Sequence, residues 1–325
     1  MNHSNPLEFQ SIDSDIDYAA LAAWVHRIND LMKNILEDLE DGPDEEDFDR
    51  ISFDQSLEQD LHCLLLQCPA DPFSLDVDSR SINPYLTAFI ISLEQEIVYQ
   101  DVDHFQLLSP SLLLGRVRDN LDSSEVDKAR ENLKRNERKT RVSLLRYILN
   151  LKAAYSKLMI IRLDLYTQDW VGSIQRWELL KKFISQRFMG FYIGYAVKFE
   201  FGMKRGVHLH TLLFFNGSRV RKDVTIAKAI GEYWKSSVTD GEGTYSNCNA
   251  PEHVKRMRYP AVGTFHEFDE RTFKGLEHIA SYLTEQDLVV RFAVPGLSRS
   301  FRKGVISREK SVRINNRAKW QAKVS

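Results

Sequence analysis

The sequence predicts an α+β protein, with a helical N-terminal domain followed by a ferredoxin-like antiparallel sheet that carries helices on one face. Three observations lead there. Apolar side chains recur at helical spacing before residue 100, short apolar strand-like runs alternate with helices from residue 158 onward, and charge divides sharply between the two regions. The 325-residue chain has a formal net charge of −2, yet residues 1–110 hold 4 Lys or Arg against 24 Asp or Glu. Residues 111–325 hold 40 against 22. A near-neutral total argues against nucleic acid as a partner. The split reverses that argument, because a basic C-terminal two thirds is the footprint of a phosphate-binding surface.

The acidic region, residues 1–110, reads as its own helical domain. Tyr18 to Leu39 carries Leu21, Trp24, Val25, Ile28, Leu31, Met32, Ile35 and Leu36 at helical spacing, and further helices are predicted over Phe53–Leu66 and Asn83–Val98. The acidic run from Glu37 to Asp47, broken by Gly42-Pro43, reads as a loop. So much acid is either a solvated surface or a shield that mimics DNA over the basic groove. Residues 111–157 form a basic connection, with one long helix over Ser123–Lys157 opened by the capping-box sequence Ser124-Glu-Val-Asp127. Its charge fits a solvated face or contact with a nucleic-acid backbone equally well.

Residues 158–298 have an α+β rhythm. A strand over 158–166 is followed by a helix over Trp170–Phe188, whose apolar face is Ile174, Trp177, Leu180, Phe183 and Ile184. Two strands come next, Gly194–Phe201 and the run through His208 to Phe215, joined by a turn over Phe201–Gly206. A helix over Val224–Trp234, an irregular stretch over 240–262, a strand over Val262–Phe268 and a final amphipathic helix complete the pattern. The tail, residues 299–325, holds 9 Lys or Arg against the single acid Glu309, with Phe301 and Trp320 interleaved. Such a tail is either solvated or a clamp for single-stranded DNA.

The chemistry concentrates at Glu200, His208 and His210. Strand side chains alternate faces, so His208 and His210 point the same way across Leu209, and a hairpin brings Glu200 beside them. Two imidazoles and a carboxylate on rigid elements suit a divalent cation, magnesium or manganese. The third ligand has alternatives: Glu200 first, then Gln286, then His278. A cupin-like site would need a glutamate shortly after the second histidine, where Leu213, Phe214 and Phe215 stand. On the final helix Leu276, Ile279, Ala280 and Leu283 form the apolar stripe, while His278, Tyr282 and Gln286 fall four residues apart on another face. Tyr282 is then a candidate nucleophile.

Taken together, Glu200, Gly206-Val-His-Leu-His-Thr211 and the helix bearing Ser281-Tyr-Leu-Thr284 resemble the HUH replication initiators. Within them the chain looks most like the inovirus-type initiators with a YagK/YfjJ C-terminal domain. The resemblance covers roughly residues 151–303, including the strand Leu158–Leu165 and the terminal run Ser298–Gly304. It implies an HUH-type DNA endonuclease that nicks and rejoins single-stranded DNA through a 5′-phosphotyrosine at Tyr282, releasing a 3′ hydroxyl that primes rolling-circle replication of a phage or prophage element. Implied partners are single-stranded DNA or an origin hairpin, and a host replication helicase or polymerase. The expected DNA-contacting residues are Lys204, Arg205, Lys274, Arg291, Arg299, Arg302 and Lys303. One position departs from the family pattern: Glu285 stands where a lysine commonly follows the tyrosine. The competing reading is a DNA-binding regulator derived from such an initiator that cuts nothing.

No apolar run approaches the roughly 18 residues of a membrane span, and the first residues do not begin a signal peptide, so a cytoplasmic protein is expected. Three cysteines, Cys63, Cys68 and Cys248, form no disulfide framework.

Overall fold

Three long strands carry the C-terminal half: β1 (Leu158–Tyr166), β2 (Tyr192–Gly202) and β3 (Gly206–Asn216). In this computed structural model, residues 18–40, 83–97, 110–167, 171–307, 310–312 and 314 are described. Every residue of β3 except the last is buried, as expected for the central strand of a covered sheet. The sheet has six strands, all pairs antiparallel: five run in the order β4 (Thr244–Asn247), β1, β3, β2, β6 (Phe301–Lys303), and β5 (Gly263–Phe265) lies off that path against β1. β4 pairs with the C-terminal half of β1, and β5 pairs with its start.

Two compact units divide the chain, residues 1–131 and 132–325. In the first, α1 (Tyr18–Glu40), α2 (Pro84–Ile97) and α3 (Pro110–Leu121) bury the predicted stripe of Leu21, Trp24, Val25, Ile28, Leu31, Met32 and Ile35. Trp24 meets Phe89 edge to face, with ring centroids 6.0 Å apart. Asn83 caps α2 by accepting from the backbone N–H groups of Tyr85 and Leu86, and its amide donates to Asn29 at 2.9 Å. The boundary between the units falls within α4 (Ser124–Ala154), which spans almost the whole predicted basic helix.

In the second unit, even-numbered residues of β1, β3 and the part of β2 after its bulge at Tyr192/Gly194 face the end of α4 and α8 (Glu270–Thr284). Ile160, Ala196, Leu212 and Phe214 pack there with Leu151, Leu276, Ile279, Ala280 and Leu283. The opposite face takes α5 (Ser173–Arg187), whose buried Trp177 lies 5.4 Å from the Tyr195 ring. Phe183 of α5 stacks on Tyr233 of α6 (Asp223–Tyr233), which leads into a single π-helical turn, Trp234–Val238. Helices therefore cover both faces of the sheet and not one, which is why nearly all of β3 and most of β2 are apolar.

Two further departures concern short elements. The stretch expected to be irregular contains β4, whose four residues Thr-Tyr-Ser-Asn are too short to show an apolar alternation, and the single-turn helix α7 (Pro251–Val254). The tail begins with β6 (Phe301–Lys303), which pairs with β2 after another single turn, α9 (Val290–Ala293). The helix expected over Phe53–Leu66, Cys63, Cys68, most of the acidic loop and Trp320 lie outside the described residues.

The approach of α8 to its neighbours yields a test. A Cβ built at Gly275 would stand 2.3 Å from the Tyr259 carbonyl oxygen and 2.9 Å from Ala261 Cβ. In a helix interior Gly→Ala ordinarily stabilises by about 1 kcal/mol. Here the backbone contact reverses the sign, so Gly275→Ala lowers the thermal unfolding midpoint; an unchanged or raised midpoint would show that α8 packs less closely.

Candidate metal centre and nucleophile

The β2–β3 hairpin sets the site. Gly202 pairs with Gly206 across Met203, Lys204 and Arg205, and Gly206 adopts φ 65°, a left-handed conformation that glycine takes without a Cβ penalty. The turn fixes the register, placing Glu200 opposite His208 and Lys198 opposite His210. On the other side of β3, β1 places Tyr166 opposite His208 and Asp164 opposite His210. Alternation puts all six side chains on the face that α8 covers, in two cross-strand rows.

Glu200, His208 and His210 each present one ligand atom, and these atoms lie within 4.8 Å of one another. The Oε2 atom of Glu200 is the common point: Lys198 Nζ approaches it to 3.0 Å, Tyr282 Oη to 3.2 Å and His210 Nε2 to 3.3 Å. Its other oxygen is 4.0 Å from His208 Nε2. Tyr282 Oη also lies 2.7 Å from His210 Nε2. Behind His210, Asp164 Oδ1 stands 2.9 Å from Nδ1 and accepts from Arg162 Nε at 3.3 Å.

The protonation pattern follows from these contacts. Burial opposes ionisation of Glu200, but the hydrogen bond with His210 and the Lys198 charge outweigh it and hold the carboxyl at about 2. Asp164 behaves alike: burial resists its charge, and His210 and Arg162 overcome that and lower its pKa. An ionised Asp164, its Oδ1 2.9 Å from His210 Nδ1, favours the proton on that nitrogen electrostatically and leaves Nε2 turned toward Glu200. Gly206 O lies 3.3 Å from His208 Nδ1, and since a carbonyl only accepts, His208 also turns Nε2 toward Glu200. Burial and the neighbouring His210 depress the His208 pKa, favouring the neutral ring that a metal needs. Two Nε2 atoms and a carboxylate with open positions form a donor set that fits a divalent cation, without distinguishing magnesium from manganese.

Tyr282 comes from α8, where Asp269 caps the first turn by accepting from Thr272 N at 2.7 Å. The apolar stripe predicted for this helix is buried, and Tyr282 stands half-buried beside it. Burial raises its pKa, and the carboxylates of Glu200 and Asp164 raise it further. The Arg162 charge counters this, with its guanidinium 5.4 Å from the ring centroid, and Lys198 Nζ lies 4.8 Å from the same centroid. Lys198, only 3% exposed, also donates to the Tyr282 carbonyl at 3.2 Å, tying α8 to the ligand strand.

The other expected residues divide. His278 is exposed and stacks on Tyr259, away from the ligand cluster. Gln286 falls beyond the helix end at Thr284, so it does not continue the tyrosine face as expected; its backbone N–H donates to Glu137. Lys204 and Arg205 stand exposed on the hairpin, with Arg205 5.6 Å over the Tyr166 ring. Lys274 pairs with Glu270 at 2.7 Å, and Arg291 donates to the Leu297 carbonyl. Arg299 is exposed, while Arg302 and Lys303 lie over the rings of Phe199 and Tyr147. Sequence reasoning missed Asp164, Arg162 and Lys198. The available signal was an ionisable pair at alternate positions within each apolar strand.

Comparison of the chain with models of protein families, with curated proteins and with solved structures finds no match.

Asp164 makes a measurable contribution in this arrangement. Asp164→Asn, which keeps the shape and removes the charge, lowers manganese affinity about 10- to 100-fold in calorimetric titration. Affinity also falls with acid. Although burial opposes it, Asp164 and Glu200 raise the His210 pKa above its ordinary 6.5, so protons compete with metal already above that pH. Equal affinity in Asp164→Asn, or binding independent of pH between 6 and 8, would contradict this geometry.

Proposed function

We propose that this chain is a metal-dependent, HUH-type endonuclease and strand transferase acting on single-stranded DNA, its antiparallel sheet being of the ferredoxin-like HUH kind. One observation carries the reading: Tyr282 Oη lies 2.7 Å from His210 Nε2 and 3.2 Å from Glu200 Oε2, which sets a nucleophile against a two-histidine, one-carboxylate donor set. The basic character of residues 111–325 supports a phosphate-bearing substrate.

Glu200, His208 and His210 would hold magnesium or manganese, which when bound supplies Lewis-acid polarisation of a phosphate oxygen. The remaining work belongs to the chain. Asp164 and Gly206 O fix the imidazole tautomers. Lys198 holds both the ligand carboxylate and the Tyr282 carbonyl, so the nucleophile keeps its distance from the ligands. The phenol proton faces Glu200 Oε2. As it leaves, Oη bonds to phosphorus and the bond from phosphorus to the 3′ oxygen breaks, and that oxygen takes up a proton to leave as a 3′ hydroxyl. The phosphotyrosine conserves the bond energy for rejoining. Formally, Arg162 and Lys198 balance Asp164 and Glu200, so a bound dication leaves two positive charges for one phosphodiester and one developing phenolate.

Glu285 does not oppose cutting in this picture. It is exposed at the C-cap of α8, while Lys198 brings the buried positive charge from β2. That favours the endonuclease over the non-cleaving regulator. Its biological setting would be initiation of rolling-circle replication of a phage or prophage element in the cytoplasm, with a host helicase or polymerase extending the primer.

Incubation with manganese and labelled single-stranded oligonucleotides tiled across the gene's own locus yields a denaturation-resistant adduct. Tyr282→Phe abolishes it and leaves DNA affinity within about twofold. An adduct that survives the substitution would assign the chemistry elsewhere, and DNA binding with no adduct from any oligonucleotide would restore the regulator.

A further inference from the structure

A cleft of about 560 Å³ opens beside the ligand cluster, within the size range of small-ligand sites. Its wall begins at Tyr166, whose ring stacks on His208 with centroids 5.6 Å apart and planes 26° apart. The candidate metal ligand and the cleft therefore share a wall. Lys204 and Arg205 line the rim from the hairpin, and Glu242 and Thr244 line the opposite side from the approach to β4. Thr167, 3% exposed, also lines it, and its buried hydroxyl has no hydrogen-bond partner among the described residues. An aromatic platform, two cations and a set of edge-reading groups are the parts of a nucleotide site and not of a purely apolar one.

Resting on the single-stranded DNA reading above, we infer that this cleft holds one nucleobase of the substrate strand next to the cut phosphate. It selects a base with an exocyclic amine, through the Glu242 carboxylate. Tyr166, over whose ring the Arg205 guanidinium lies at 5.6 Å, supplies the stacking surface once Arg205 turns to a phosphate. Lys204 and Arg205 neutralise the flanking phosphates. Glu242 only accepts hydrogen bonds, so it pairs with the N4 amine of cytosine and repels the O4 carbonyl of uracil or thymine. The hydroxyls of Thr244 and Thr167 can donate or accept and so complete either edge. Tyr166 thereby links base recognition to the ligand strand through its stack on His208.

The test measures fluorescence anisotropy of the full chain with dC10 and dU10, which differ in the base edge and hardly in stacking, together with adduct formation in manganese. The cleft predicts tighter binding of dC10, loss of that difference in Glu242→Gln, and affinity for both strands reduced about tenfold or more in Tyr166→Leu but retained in Tyr166→Phe. Glu242 is exposed, so its substitution leaves folding aside. Equal affinities in the unaltered protein, or a preference untouched by Glu242→Gln, would remove the cleft's role even if the adduct forms. Failure to bind any strand would remove the nucleic-acid reading itself, and the cleft with it.

Discussion

The approach of three groups to one carboxylate oxygen, Glu200 Oε2, organises the C-terminal unit. A lysine, a tyrosine and a histidine converge on it from β2, α8 and β3 within 3.0 to 3.3 Å. Each alone would be poorly placed in so buried a setting. Lys198 is nearly excluded from water, and an uncompensated ammonium there would be costly; the carboxylate and the Tyr282 carbonyl are what make its charge tolerable. The same contacts keep Glu200 ionised and hold Tyr282 at the ligand cluster. Electrostatics and positioning are thus one arrangement seen twice.

That arrangement explains why the fold is built as it is. Antiparallel pairing with a short glycine-ended turn is the shortest way to bring Glu200 opposite His208, and a central β3 allows β1 to bring Asp164 from the other side. Helices on the opposite face leave the sheet rigid, since Trp177, Leu180 and Ile184 of α5 are buried. α8 then packs on the site face through Leu276, Ile279, Ala280 and Leu283, while Gly275 lets the 259–261 segment lie close against the helix. A site assembled from three strands and one helix in this way keeps its geometry as long as the sheet and the packing of α8 on it hold.

Much of this was legible in the chain. Periodicity located β1, β2, β3 and α8, and His-x-His with an upstream glutamate named a group that could hold a metal. The remainder was hidden for physical reasons. β4 and β6 are short and polar, and they are strands only because β1 and β2 offer edges to pair with. Gln286 was expected on the tyrosine face because helical periodicity does not announce where a helix stops, and α8 stops at Thr284. Arg162-Leu-Asp164 and Lys198-Phe-Glu200 repeat the His208-Leu-His210 pattern on the neighbouring strands. Three such pairs gain meaning only when the register aligns them, and register is a tertiary property.

The account's central claim is that the ligand cluster and Tyr282 form a single centre. Its most direct test is the anomalous diffraction signal of manganese in crystals of the intact chain. The account predicts one strong peak bounded by Glu200, His208 and His210, with the Tyr282 hydroxyl turned toward the same cluster. A peak elsewhere, or a metal at the cluster with Tyr282 turned away from it, would contradict that claim.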